Sequence, residues 1–69
     1  MNRLKFYRIE KRLSQFELAE ASGVPRYCIQ LVEQAIKLPT AEQQMQLAET
    51  LGVTVTDLFP MKGSDQNGG

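Results

Sequence analysis

Apolar residues recur at helical spacing along the chain, and short polar signals mark where each run starts and stops. The first run predicts a helix over residues 3–11, ending near Arg12 and Leu13. Ser14-Gln15-Phe16-Glu17 has the form of a capping box, in which the Ser hydroxyl accepts the Glu amide N–H and the Glu carboxylate accepts the Ser amide N–H. A second helix is expected over 15–22, with Leu18 and Ala19 facing inward, and Gly23 stops it because glycine takes a left-handed conformation without strain. Val24 and Pro25 open a third helix over about 25–34, with Pro25 expected in the first turn, where its missing amide hydrogen costs nothing. Ile29 and Val32 share one face of that helix. It fades at Gln34-Ala35, and Pro39 blocks any continuation.

Thr40-Ala41-Glu42-Gln43 is a second capping box. It opens a fourth helix that runs through Met45, Leu47, Ala48 and Leu51 and closes at Gly52. Thr54 caps a last short helix holding Val55, Leu58 and Phe59, stopped by Pro60. The expected fold class is therefore all-α, five short helices, with one domain over residues 1–60 and a frayed, disordered tail over 61–69. No repeat and no strand is legible.

A chain of 69 residues holds one domain at most. A core this small leaves stability marginal, and a dimer partner could add what it lacks. No apolar run approaches the ~20 residues needed to span a bilayer, and no apolar stretch follows the N-terminal charges, so neither a membrane segment nor a secretory signal is expected. Cys28 is the only cysteine and there is no histidine. That excludes an intrachain disulfide, a zinc site of the usual ligands within one chain, and Cys-His or Ser-His-Asp catalysis. No enzyme, metal or cofactor is expected, and a reducing cytoplasm suits the single thiol.

The formal net charge is zero, which counts mildly against a nucleic-acid partner. The distribution is less even. Residues 1–12 carry Arg3, Lys5, Arg8, Lys11 and Arg12 against Glu10, whereas residues 13–35 carry Glu17, Glu20 and Glu33 against Arg26. The positive end is the first helix, and a solvated helix face accounts for it as readily as a binding surface does.

The segment QFELAEASGVPRYCIQLVEQ, residues 15–34, carries the functional signal. It reads helix, tight turn, helix. Ala19 is small enough for close crossing, Gly23 supplies the turn, and Val24, Ile29 and Val32 form an apolar wedge with Leu18 packing from the other side. A helix-turn-helix of this kind places its second helix in the major groove of DNA.

Residues 13–59 resemble the Cro/C1-type helix-turn-helix proteins, the Xre family, through LSQFELAEASGV, IQLVEQ and PTAEQQMQLAETLGVTVTDLF taken in register. The resemblance implies a lambda-repressor-like domain that binds double-stranded DNA as a homodimer. It places Gln15 against a phosphate at a helix N-terminus, and Arg26, Tyr27 and Gln30 at base edges, with Gln34 and Lys37 completing the contact set. Arg can pair with guanine and Gln with adenine. Tyr27 is left between a thymine methyl and a phosphate, and each of these residues has a plain alternative as surface polarity. Leu31 stands where the family often has a long polar residue. Arg8 and Glu33 match positions that pair in the family, tying the first helix to the end of the third.

There are departures. Where the family commonly has Asn-Gly followed by basic residues, this chain has Gln34-Ala35-Ile36-Lys37, so a different turn and a weaker phosphate grip are expected. Gln44 occupies a position that is often apolar, and Phe6 and Phe16 look partly exposed. Cys28 reads most simply as a small space-filling residue. Val55, Leu58 and Phe59, with Met61 beyond them, suggest a dimer face. The functions consistent with all this are a DNA-binding transcriptional regulator, repressor-like and acting on a pseudo-palindromic operator, or a protein-interaction module or antitoxin holding a partner such as a toxin. With no second domain to take a ligand, regulation is expected to come from concentration, a partner or proteolysis.

Overall fold

The computed structural model describes residues 2–60 and forms α1 (Leu4–Glu10), α2 (Gln15–Ser22), α3 (Arg26–Glu33), α4 (Ala41–Leu51) and α5 (Val55–Leu58), with no strand among the described residues. The architecture is the expected all-α set of five short helices. The tail expected from residue 61, Met61 included, lies outside the described residues.

Local chemistry explains most helix starts. Ser14 Oγ accepts the Glu17 N–H at 2.9 Å, and Glu17 Oε1 accepts the Ser14 N–H at 2.8 Å. Thr40 and Gln43 make the equivalent pair, both at 3.1 Å. A third box, Thr54 with Asp57, opens α5 with both bonds at 3.0 Å, where the sequence had suggested a Thr54 cap alone. Helix α1 has no side-chain cap from Arg3. Asn2 acts from one residue further out: its Oδ1 accepts the Leu4 N–H at 3.1 Å, and its Nδ2 donates to the Val32 carbonyl at 2.8 Å. Pro25 stands at the N-cap of α3 with ψ 142°, one position earlier than expected, and its carbonyl accepts the Cys28 and Ile29 N–H groups at 3.0 and 3.1 Å.

The stops of the first four helices share one device. The backbone is left-handed at Arg12, Gly23, Ala35 and Gly52. After Arg12, Ala35 and Gly52 the amides close back in the same paired pattern. Leu13 and Arg12 donate to Arg8 and Ile9, Ile36 and Ala35 donate to Leu31 and Val32, and Val53 and Gly52 donate to Ala48 and Glu49, all within 2.8–3.2 Å. This is the Schellman closure, which satisfies the last carbonyls of a helix. The turn at Gln34-Ala35 therefore keeps a left-handed residue although no glycine is present there. An L-residue pays about 1–2 kcal/mol for that conformation.

The core takes Leu4 from α1, Leu18 from α2, Cys28, Ile29 and Val32 from α3, Leu47, Ala48 and Leu51 from α4, and Leu58 from α5, with Val24 from the turn. Met45 belongs to the apolar series of α4 yet faces outward, 63% exposed. The chain start is tied to the chain end: the Arg3 N–H donates to the Leu58 carbonyl at 2.8 Å. One expectation is corrected here. Leu58, expected at a dimer face, is fully buried within the chain because α5 packs on α4 and its last turn is held by Arg3.

Candidate nucleic-acid interface

Helix α3 presents two faces. Cys28, Ile29 and Val32, three and four residues apart, point into the core. Arg26, Tyr27, Gln30 and Gln34 fall on the opposite side and are all exposed. Four of the residues expected to meet DNA thus form one outward stripe along the second helix of a helix-turn-helix unit. Gly23, with φ 82°, makes the turn before it, and half-buried Ala19 lies on α2, which packs against α3.

Lys37 joins the stripe from outside the helix. The left-handed turn at Ala35 sends the chain back, so that the Ile36 and Lys37 N–H groups both donate to the Leu31 carbonyl, at 2.9 and 3.4 Å. The Lys37 ammonium then lies 5.8 Å from the centre of the Tyr27 ring.

Behind the stripe a charged cluster fixes how α2 enters. Arg8 Nε donates to Glu33 Oε2 at 2.6 Å and its Nη2 to Oε1 at 3.2 Å, with the two side chains only 11% and 5% exposed. The remaining fork of Arg8 donates to the Leu13 carbonyl at 2.8 Å. Gln15 adds its Nε2–H to Glu33 Oε1 at 3.0 Å. The cluster joins α1, the link after it, the first residue of α2 and the last residue of α3. One of the two amide hydrogens of Gln15 is committed to Glu33.

No family model matches the chain. It is 34% identical over 58 residues to an uncharacterized HTH-type transcriptional regulator of Methanocaldococcus jannaschii, a match covering 84% of this chain and 88% of that protein. The chain belongs to the HTH-type transcriptional regulators. In this HTH-type regulator the matched length takes in most of the described helices, not the helix-turn-helix segment alone.

Other expected residues of the regulator fall as follows. Leu31 is half-buried, and Cys28 is buried with its Sγ 3.7 Å from Gln43 Oε1. Gln44 is half-buried, its Nε2 donating to the Pro39 carbonyl at 3.2 Å. Phe6 and Phe16 are 48% and 58% exposed. Val55 and Phe59 are half-buried against the core, and Phe59 lines a shallow groove with Leu38, Ala35 and Pro60. One residue with a clear role escaped the sequence reading, and one singled out there differs from expectation. Asn2 braces α1 against α3, and an Asn just ahead of a helical run is a capping signal that could have revealed it. Ala35, expected in place of a glycine to change the turn, instead takes the left-handed conformation itself and so sets where Lys37 goes. Among the described residues no group of His, Cys, Asp or Glu side chains gathers as a metal site requires, and no helix is long and apolar enough to cross a membrane.

Proposed function

We propose that this chain is a sequence-specific, DNA-binding transcriptional regulator of the Cro/C1 (Xre) type, repressor-like, with α3 in the major groove. The observation that carries the reading is the exposed stripe Arg26-Tyr27-Gln30-Gln34 on the second helix of the motif, opposite a face buried in the core. Arg26 is its base reader, with Gln30 beside it, since Arg and Gln have bidentate partners on guanine and adenine edges. Gln15, its amide steadied by Glu33, and Lys37 meet phosphates. The compartment that fits is the cytoplasm.

The regulator acts as a homodimer on a pseudo-palindromic operator. With Leu58 buried, what remains of the expected dimer face is Val55 and Phe59, both half-buried on and just after α5. Two recognition helices would then stand about 34 Å apart, one turn of DNA. In-vitro selection from random duplexes tests the reading: enrichment of two related half-sites supports it, and no enrichment at low salt contradicts it. A second reading, a protein-interaction module or antitoxin holding a toxin, is favoured by one observation. Ile36 and Leu38 are 67% and 83% exposed on a chain of zero net charge.

A further inference from the structure

The geometry points to Tyr27 as a positioning residue for Lys37, the ring and the ammonium together making one phosphate grip, so that Tyr27 does not read a base. This rests on the DNA-binding reading above and assigns one of its residues a different task.

The backbone puts Lys37 in place. Ala35 takes φ 62°, the chain reverses, and the Lys37 amide is held to the Leu31 carbonyl. Leu31 lies one helical turn beyond Tyr27 on the same side of α3. From there Lys37 Nζ lies 5.8 Å from the ring centre. That is within the ~6 Å over which a cation is held by the negative face of an aromatic ring.

Neither side chain has structural work that explains the pairing. Tyr27 is 63% exposed and Lys37 is exposed, so the ring is not a core residue. No carboxylate pairs with Lys37 among the described residues. Its three N–H donors stay available to an anion. A free lysine loses much of its side-chain freedom when it docks on a phosphate, and one already lodged on a ring loses less. Tyr27 thereby strengthens binding to any duplex without distinguishing sequences. With Arg8 committed to Glu33, the cations on and just after α3 are Arg26 and Lys37, so the ordering of one of them matters more than it would on a basic domain.

The experiment has two arms. In the free protein, proton NMR should show the Lys37 side-chain methylene signals shifted upfield by the ring, with the shift lost in Tyr27→Leu and kept in Tyr27→Phe. In the second arm, binding to a short random-sequence duplex is titrated across a salt series. Tyr27→Ala should weaken binding by roughly threefold, as for an exposed cation–π pair, and lower the salt slope by up to about one unit. Tyr27→Phe should restore both. Tyr27→Ala added to Lys37→Ala should cost no more than Lys37→Ala alone. Additive losses, or a Tyr27→Phe variant that binds like Tyr27→Ala, would overturn the assignment. Wild type that binds no duplex at low salt overturns the DNA reading itself and the grip with it, while the NMR arm still reports whether the pair exists.

Discussion

Ala35→Gly should stabilise the protein, because the left-handed backbone at position 35 is set by the closure of α3 and not by the residue that occupies it. Ala35 has φ 62°, and its N–H and that of Ile36 donate to Val32 and Leu31, both at 2.9 Å. Holding an L-residue there costs about 1–2 kcal/mol. Glycine removes that cost and adds about 0.4–1 kcal/mol of unfolded-state entropy. The Ala35 side chain is exposed, so no core packing is lost. The net gain should be about 1 kcal/mol, which for a domain of this size raises Tm by roughly 4–8 °C. Gly23→Ala gives the mirror experiment. A Cβ there would meet nothing within 4 Å, so its loss reports the backbone alone. Thermal and urea unfolding followed by circular dichroism measure both. Opposite signs and similar sizes are expected. If Ala35→Gly is neutral or destabilising while Gly23→Ala costs stability as expected, the reasoning about position 35 is wrong.

Removing one partner of the Arg8–Glu33 pair strands a charge that is almost fully buried, so Glu33→Ala should cost about 3 kcal/mol in urea unfolding. Replacing both, as Arg8→Met with Glu33→Leu, should recover much of that loss. The Thr54 N–H and Thr54 hydroxyl, together with nearby Arg3, hold the Asp57 carboxyl below its ordinary value of 3.8. Its contribution is therefore present above that value and fades as pH falls through the lower folded value. Asp57→Asn should accordingly flatten the acid limb of a stability–pH curve, and an unchanged limb would show that the α5 cap is not formed in solution.

The helix starts were legible because their code is short. Ser14 with Glu17 and Thr40 with Gln43 are each three residues apart, and Gly23 and Gly52 mark stops by their own chemistry. The two faces of α3 were legible from the spacing of Ile29 and Val32. What was not legible depends on distant parts of the chain. Leu58 looks like surplus apolar surface on a one-turn helix until the segment at Arg3 docks beside it, 55 residues away in sequence. Gln15 looks free until the end of α3 brings Glu33 to its amide. Ala35 in place of a glycine argues for a different turn, yet it is left-handed, so the reversal that lays Lys37 against Tyr27 is a property of the folded chain. The charge sum, zero, likewise hides that Glu33 is consumed by Arg8.

The central claim is that α3 reads base edges through Arg26. Its most direct test is a titration of wild type and Arg26→Ala against a selected duplex and its scrambled counterpart. Arg26→Ala should lose about 1–3 kcal/mol on the selected duplex and little on the scrambled one, with preference relaxed at one base pair. Equal losses on both duplexes would reduce Arg26 to a phosphate contact, and wild type that ignores both at low salt would contradict the account.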